Sequence, residues 1–211
     1  MNTLNPPIDG HRKRRMATRE RLLAAAKSVM AETRVEAVTI DDLIQKAEVA
    51  KGSFYNHFKS KEELFFATLD DIIADLADHI MLATKGLDDP AEALAMGSRL
   101  YLKRAVADPE VGRFIVNAPA SLDLLKRYAD PVVNHTIDKG LRTGRFQIRD
   151  RELFFVLLTS GISAVILGLL EEKFTEEDDV IGSELATSVL LLAGVRPEAA
   201  HEVAHRPLPI T

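Results

Sequence analysis

The sequence predicts an all-α protein in which a small N-terminal head of three helices precedes a larger helical body. Apolar residues recur at intervals of three and four along most of the chain, which is the period of an amphipathic helix. Capping residues, glycines and prolines divide this pattern into segments of helical length. The length of 211 residues, with 46% hydrophobic content, is sufficient to bury a sizeable core.

The composition limits the kinds of site that the chain can carry. Because cysteine is absent, disulfides, a thiolate nucleophile and cysteine-based zinc sites are excluded. The polar, basic N-terminus lacks the apolar stretch of a secretory signal, so we expect a cytoplasmic protein. No glycine-rich phosphate loop, nucleophile elbow or paired-carboxylate arrangement stands out. We therefore predict neither an enzyme nor a bound cofactor.

Charge divides the chain into two unequal parts. The formal net charge is −5, which by itself argues against a nucleic-acid partner. However, residues 1–61 contain 12 Lys and Arg against 7 Asp and Glu, a balance of +5, and residues 62–211 have a balance of −10. This asymmetry is typical of a basic DNA-binding head on an acidic body.

The chain begins with a segment, residues 1–15, that we predict to be a disordered basic arm. Its cluster at 11–15, HRKRR, could follow DNA phosphates or enter a minor groove. The alternative is an ordinary solvated run of charges. A first amphipathic helix is then predicted from Ala17 to about Thr33, with Thr18 as its N-cap.

The second and third helices form a compact pair. Thr39 opens the second helix with Asp42 at its third position, which is the spacing of a capping box. After a turn at residues 48–50, a short aromatic helix is predicted from Lys51 to Phe58. Three helices in this arrangement are typical of a helix-turn-helix head.

The two sides of the short aromatic helix differ in character. At about 100° per residue, Phe54 and Phe58 fall on one side, where they can anchor the helix. A small exposed helix of this kind fits the DNA major groove. The alternative is a helix that only plugs a core. The residues that we expect to face DNA are Gly52, Ser53 and Asn56, with Tyr55 and His57 on the flanks.

The stretch TIDDLIQKAEVAKGSFYNHFKSKEEL, residues 39–64, resembles the DNA-binding head of TetR-family transcriptional regulators. The resemblance extends from about Thr18 to Phe66 and implies a dimeric, ligand-responsive regulator. Two positions depart from the family pattern: Glu48 stands where glycine is usual and Ala50 where serine is usual. The DNA contacts that the resemblance implies are Thr39, Lys51, Ser53, Tyr55, Asn56, His57 and Lys61.

These two departures concern the turn before the aromatic helix. We expect Glu48 to adopt a left-handed backbone at a cost of about 1 kcal/mol. Ala50 cannot cap the following helix, which forgoes about 0.5–2 kcal/mol. Both affect the geometry of the turn rather than the fold.

The body is predicted to consist of further helices. A long fourth helix runs from Lys61 to about Thr84, and others cover about 91–107, 109–117 and 122–140. An effector pocket is expected among them. Its candidate residues, aromatic or polar side chains within apolar helices, are Tyr101, Arg104, Phe114, Asn117, His135 and Thr159.

The segment 153–170 contains no charged residue over eighteen positions. It meets the lower length limit of a transmembrane helix, but small and polar residues dilute it and acidic residues flank it. We expect instead that it forms a homodimer interface together with a helix at 184–194, an arrangement that the resemblance also implies. A membrane-associated or purely structural helical dimer with a basic head is the alternative.

The chain ends in a segment, residues 196–211, that we predict to be a flexible tail. His201 and His205 have the helical spacing of metal ligands, but no third ligand is evident and no metal site is predicted. The predicted domains are the arm 1–15, the DNA-binding head 16–62, the effector-binding and dimerisation body 63–195, and the tail.

The predicted function is that of a transcriptional regulator. Two symmetric heads would bind a palindromic double-stranded operator, and a small molecule of unknown identity in the body would release it. This scheme requires the effector to bind the two conformations with different affinities. A repressor is the form that we expect.

Overall fold

The computed structural model describes residues 8–118 and 131–209, and these residues contain helices but no strand. The predicted all-α class is confirmed. Residues 119–130, part of the segment predicted to form helices at 122–140, lie outside the described residues. The ten α-helices are α1 (Ile8–Glu32), α2 (Ile40–Ala47), α3 (Lys51–Tyr55), α4 (Lys61–Thr84), α5 (Pro90–Ala107), α6 (Pro109–Asn117), α7 (Pro131–Arg142), α8 (Arg151–Leu170), α9 (Asp178–Leu192) and α10 (Pro197–Ala204), with a 3-10 turn at Val35–Ala37.

Two hydrophobic clusters divide the molecule into a head and a body. The head cluster joins α1, α2 and α3 with the first turns of α4, as far as Leu69. The body cluster begins on the same helix at Leu76 and continues through α5–α10. Ile72 and Ile73 pack against both clusters. The head therefore ends inside α4 and not at the predicted boundary after residue 62.

Helix α1 begins earlier than predicted. It starts at Ile8, so residues 8–15, predicted to be part of a disordered arm, form its first two turns. Thr18 is not the N-cap, because its hydroxyl donates to the carbonyl of Arg14 at 3.0 Å from within the helix. Arg and Lys are good helix formers, and their side chains are exposed here, so the helix continues through the basic cluster.

The turn between α2 and α3 shows both features that the sequence predicts for Glu48 and Ala50. Glu48 adopts a left-handed conformation with φ 54°. The amide of Val49 donates to Ile44 and the amide of Glu48 to Gln45, the pair of hydrogen bonds in which glycine usually occupies the left-handed position. Ala50 provides no side-chain cap for α3.

Side-chain caps define the starts of five helices in the described residues, namely α2, α4, α5, α6 and α8. Thr39 and Asp42 form the predicted capping box of α2. At the start of α4, the Ser60 hydroxyl accepts from the amide of Glu63, but the Glu63 carboxylate accepts from the amide of Lys59 instead of Ser60. The predicted bounds of α4 nevertheless agree with the structure.

Helix α5 lies at the centre of the body and packs against α4 and α6–α10. Asp89 caps it by accepting from the amide of Ala91, and the same carboxylate binds Arg145 through two hydrogen bonds of 3.0 and 2.8 Å. This ion pair ties the start of α5 to the turn after α7.

The segment predicted to be a flexible tail contains helix α10. Ala200, Val203 and Ala204 are buried against α9 and α5. The guanidinium of Arg99 on α5 donates to the carbonyls of Ala204 and Arg206 at 3.1 and 2.6 Å. The prediction is wrong for residues 197–204, because the proline and histidine content concealed a short amphipathic helix.

Helix α8 is long and apolar enough to cross a membrane by length and composition, with a mean hydropathy of 2.5. Only 22% of its most apolar stretch is buried by the rest of the described chain. Leu153, Leu157 and Leu167 are 54%, 46% and 39% exposed. The described residues of a single copy therefore leave an apolar surface on α8 uncovered.

Candidate functional site

The short helix α3 presents the two faces that its sequence predicts. Phe54 and Phe58 are 0% and 4% exposed and lie 6.2 Å apart between ring centroids. The opposite side is exposed at Lys51, Gly52 and Asn56. The regular helix ends at Tyr55, three residues earlier than predicted, but the amides of His57 and Phe58 both donate to the carbonyl of Phe54 and continue the turn.

Gly52 lies on the exposed side of α3. A Cβ atom built at this position meets nothing within 4 Å. The packing of the protein itself therefore does not require glycine at this position. A glycine that the fold does not need is consistent with the close approach of an external partner.

Basic residues of α1 lie beside the short helix α3. The pKa of His57 is lowered by its partial burial and, secondarily, by the positive charges of Arg15 and Arg19. The guanidinium carbon of Arg19 also lies 5.8 Å from the ring centroid of Phe58. Arg15 and Arg19 of α1 thus lie close to the flank of α3 that carries His57.

Two further predicted contact residues lie at helix starts nearby. The Lys51 ammonium binds the exposed carboxylate of Asp41 at 3.0 Å, and this hydrogen bond raises the pKa of Lys51. The Thr39 hydroxyl donates to the Asp42 carboxylate at 2.6 Å and lowers the pKa of that group. Both side chains remain exposed. Lys51 links the start of α3 to α2, whereas Thr39 caps α2 itself.

Lys61 has a different role from the DNA contact that the resemblance implies. Its ammonium donates to three backbone carbonyls, those of Val35, Glu36 and Val38, at 3.0, 3.0 and 2.7 Å. An ammonium group has three protons to donate, so these bonds use its full capacity. The contacts assign Lys61 to the structure of the head, where it holds the 3-10 turn to the start of α4.

The junction between head and body is formed by α1, α4 and α6. Phe114 of α6 is fully buried in the head cluster and stacks on Phe65 of α4, with ring centroids 5.2 Å apart. The Asn117 amide donates to the carbonyls of Met30 and Ala31 at 3.2 and 3.0 Å. These contacts connect the last turn of α1 to the end of α6.

An ion pair adds to this junction at the other end of α6. The Lys27 ammonium lies 3.2 Å from Asp108 and 3.1 Å from Glu110. The pKa of Lys27 is raised, because these two carboxylates outweigh the effect of burial, which would lower it. Sequence reasoning did not identify Lys27, although its position four residues after Leu23 places it on the apolar face of α1.

The six predicted effector residues do not form one group in the structure. Phe114 and Asn117 serve the junction, and Arg104 binds Asp75 at 3.3 Å on the surface. These contacts assign the three residues to structure rather than to a ligand. The remaining candidates are Tyr101, packed against the body cluster, His135, exposed on α7, and Thr159, whose hydroxyl donates to Phe155 within α8.

Comparison with protein families gives two matches that together cover both parts of the chain. Residues 22–68 match the family described as bacterial regulatory proteins, tetR family. Residues 89–206 match the family described as tetracyclin repressor-like, C-terminal domain. The first match contains α2, α3 and the start of α4, and the second contains the body from α5 to α10.

Individual proteins are similar to the chain over different lengths. The crystal structure of RolR in complex with the ligand resorcinol is 31% identical, with a TM-score of 0.73, and the alignment covers 94% of this chain and 98% of RolR. The HTH-type transcriptional regulator YxbF of Bacillus subtilis, named as uncharacterized, is 33% identical over 89 residues, 40% of this chain and 23% of YxbF. The HTH-type transcriptional repressor KstR2 of Rhodococcus jostii is 29% identical over 99 residues, 46% of this chain and 48% of KstR2. The chain thus spans less than half the length of these two curated relatives.

The role of Lys61 can be tested by Lys61→Met, which keeps an unbranched side chain and removes the three donors. We expect the free energy of unfolding to fall by about 1–3 kcal/mol, because three carbonyls lose a charged partner. Urea denaturation followed by circular dichroism measures this change. The exposed Lys59→Met is the matched control, with an expected change within about 0.5 kcal/mol. Equal stabilities of the two variants would contradict the assignment.

Proposed function

The chain belongs to the TetR family of ligand-responsive, DNA-binding transcriptional regulators, and from this premise we propose that it is a homodimeric repressor. Members of the family bind operator DNA and small-molecule effectors and act as dimers. The observation that carries the proposal is α3, a short helix with a buried aromatic side and an exposed polar side. A cytoplasmic location follows from the proposed function.

The alternative of a membrane-associated or purely structural helical dimer is not favoured. Its basis was the uncharged segment at 153–170, which lies within α8. Both the head and the body match families of regulators, and α8 falls within the second match. The apolar surface of α8 is then assigned to a second copy of the chain.

We assign the DNA contacts to the exposed side and flanks of α3. Ser53 and Asn56 would face base edges, where an asparagine amide can bind adenine through two hydrogen bonds. Gly52 would allow the backbone to approach the duplex. Thr39, Lys51, Tyr55 and His57 are proposed for the sugar-phosphate backbone, and Arg15 and Arg19 of α1 extend the same surface. Lys61 is left out, since its ammonium is occupied by carbonyls.

The proposed dimer interface consists of α8 and α9. Exposed residues on α8 recur at intervals of four and three, which is the spacing of a seam between two packed helices. Small residues occupy its middle and leucines its ends. The seam consists of Leu153, Leu157, Ser160, Ala164 and Leu167, and Leu191 and Leu192 of α9 add further exposed apolar surface.

We propose a small phenolic compound as the effector. RolR, which aligns with nearly the whole chain, has been crystallised with resorcinol, a small phenolic compound. An acidic body is compatible with a neutral aromatic molecule. Tyr101, His135 and Thr159 remain the proposed ligand residues.

The junction at α6 is the proposed route between effector and DNA. An effector changes operator affinity only if it binds one arrangement of the body more tightly than the other. Because Phe114 is part of the head cluster, a shift of α6 displaces the head. The Asn117 and Lys27 contacts then transmit the same shift to α1.

The proposed base contact is tested by Asn56→Ala with DNA from upstream of the gene, across a salt series. We expect a 5- to 150-fold loss of affinity for the specific site, which corresponds to about 1–3 kcal/mol, and no change for unrelated DNA. The salt dependence should be unchanged, since no phosphate contact is removed. Gln147→Ala, which removes an exposed amide of the body, is the control and should bind as the wild type does. Equal losses on specific and unrelated DNA would contradict the base contact.

The dimer interface is tested by Leu157→Glu, which places a charge in the proposed seam. We expect the dissociation constant of the dimer to rise at least about 100-fold, which corresponds to about 3 kcal/mol, because two like charges would be buried in the interface. Sedimentation velocity at micromolar concentration measures this effect. Leu82→Glu, at a leucine that is 75% exposed on α4, should leave the dimer intact. A dimeric Leu157→Glu protein would place the interface elsewhere.

The effector and its route are tested by titrating resorcinol into the complex of the protein with its operator. We expect release of DNA by resorcinol and not by cyclohexane-1,3-diol, which has the same hydroxyl spacing without the aromatic ring. We expect Asn117→Ala to bind resorcinol normally. The factor by which resorcinol lowers operator affinity should be roughly tenfold smaller in this variant, because it loses two hydrogen bonds at the junction. The exposed Arg113→Ala on the same helix is the control. Release without any loss in Asn117→Ala would exclude this route.

A further inference from the structure

Three possible metal ligands meet where α10 packs against α9. Glu184 comes from α9, and His201 and His205 come from the last turn and the C-terminal cap of α10. One ligand atom of each residue lies within 4.8 Å of those of the other two. The sequence shows the histidine pair, but only the packing of the two helices supplies the carboxylate.

The hydrogen bonding of His205 determines which ring nitrogen can bind a metal. Its Nδ1 lies 2.9 Å from the carbonyl oxygen of His201. Since a carbonyl only accepts, Nδ1 must carry the proton in this bond, and the neutral ring then presents the lone pair of Nε2. A histidine that ligates a metal through one ring nitrogen typically donates a hydrogen bond from the other nitrogen to a carbonyl, and this bond fixes the orientation of the ring.

The surroundings of the His205 Nε2 atom favour a positive charge. It lies 3.4 Å from the Glu184 carboxylate oxygen. Two lone pairs at this distance repel each other unless a proton or a cation lies between them. The ring of His201 is also close, with its centroid 4.0 Å from that of His205, so its nitrogen can reach the same point.

We propose that Glu184, His201 and His205 bind a Zn²⁺ ion that links α9 to α10. Two imidazole nitrogens and one carboxylate oxygen are a ligand set that zinc accepts, with a fourth position left for water. Mg²⁺ and Ca²⁺ are excluded as preferred ions because they require mainly oxygen ligands. All three side chains are exposed, so an ion can enter from solvent without a change in the fold.

Zinc would stabilise the docking of α10. Without the ion, α10 is held by its buried side of small apolar residues and by Arg99. A coordinate link from Glu184 adds a contact on the exposed side of the same helix. Because α9 contributes to the proposed dimer interface, the link would also restrain the end of that interface. The site itself does not depend on the proposed function.

The proposal is tested by isothermal titration of the full chain, without an affinity tag, with zinc chloride and with magnesium chloride. We expect one Zn²⁺ per chain at micromolar affinity and no Mg²⁺ binding. Glu184→Gln, which preserves side-chain shape, and His205→Gln, which keeps a polar side chain of similar length, are each checked for native circular dichroism and should weaken zinc binding at least tenfold. His79→Gln is the matched control, because His79 and Asp75 form a similar pair at four-residue spacing on α4.

Hydrogen exchange of the α10 amides provides the second measurement. Zinc at a concentration that saturates the wild type should slow exchange at residues 197–204 at least several-fold in the wild type and in His79→Gln, and have a clearly smaller effect in Glu184→Gln. Absence of zinc binding, equal zinc binding by all variants, or zinc binding that leaves α10 exchange unchanged would each overturn the proposal. In the first case a proton on His205 would account for the contact, as in an ordinary surface ion pair.

Discussion

The stacked contact between Phe114 and Phe65 is the constraint on which the relation of head to body depends. A side chain of the body completes the core of the head, where it is fully buried. Withdrawal of a buried phenylalanine leaves a cavity that costs about 3–5 kcal/mol, so α6 cannot move away from the head at small energetic cost. Movement of α6 must instead carry α4 and α1 with it. The two units are therefore coupled by packing, and the polar contacts of Asn117 and Lys27 specify the register of that packing.

Packing against neighbouring elements also explains how a helix of five residues can keep a fixed position. A helix of this length is unstable in isolation, and α3 also lacks a side-chain cap at Ala50. Its position is determined by neighbours: two buried aromatic rings on one side, and a left-handed turn at Glu48 whose carbonyl accepts from Arg21 at 3.4 Å. Lys61, at the start of α4, donates to the carbonyl of Val38 just before α2 and so ties that segment to α4. Tertiary contacts hold the helix by its buried side. The residues on its exposed side are therefore not needed for packing and can be those that a partner requires.

The sequence allowed prediction of features that depend on residues close together in the chain. The capping box of Thr39 and the starts of α4 and α6 were predicted correctly, since each depends on residues within about one turn. Thr18 carried the same signal and was misinterpreted, because nothing local ends the basic segment before it. The roles of Lys61 and Asn117 could not be predicted, since their carbonyl partners lie 23–26 and 86–87 residues away. The close contact of Gly168 with Phe174 could not be predicted either, because the ring that a Cβ at Gly168 would meet at 2.5 Å comes from the loop after α8.

Helix α8 illustrates why a uniformly apolar helix need not be a membrane helix. One row of its side chains, Phe154, Leu158, Ile162 and Ile166, is buried in the body of the same chain. The opposite row is exposed and follows the spacing of a helix seam. A bilayer would surround the whole circumference of the helix, which is impossible while one row remains packed in the body cluster. A second copy of the chain needs only the exposed row. In the proposed dimer, two faces with two different apolar partners would account for a helix that is apolar all round, and a sequence pattern alone cannot separate that arrangement from burial in lipid.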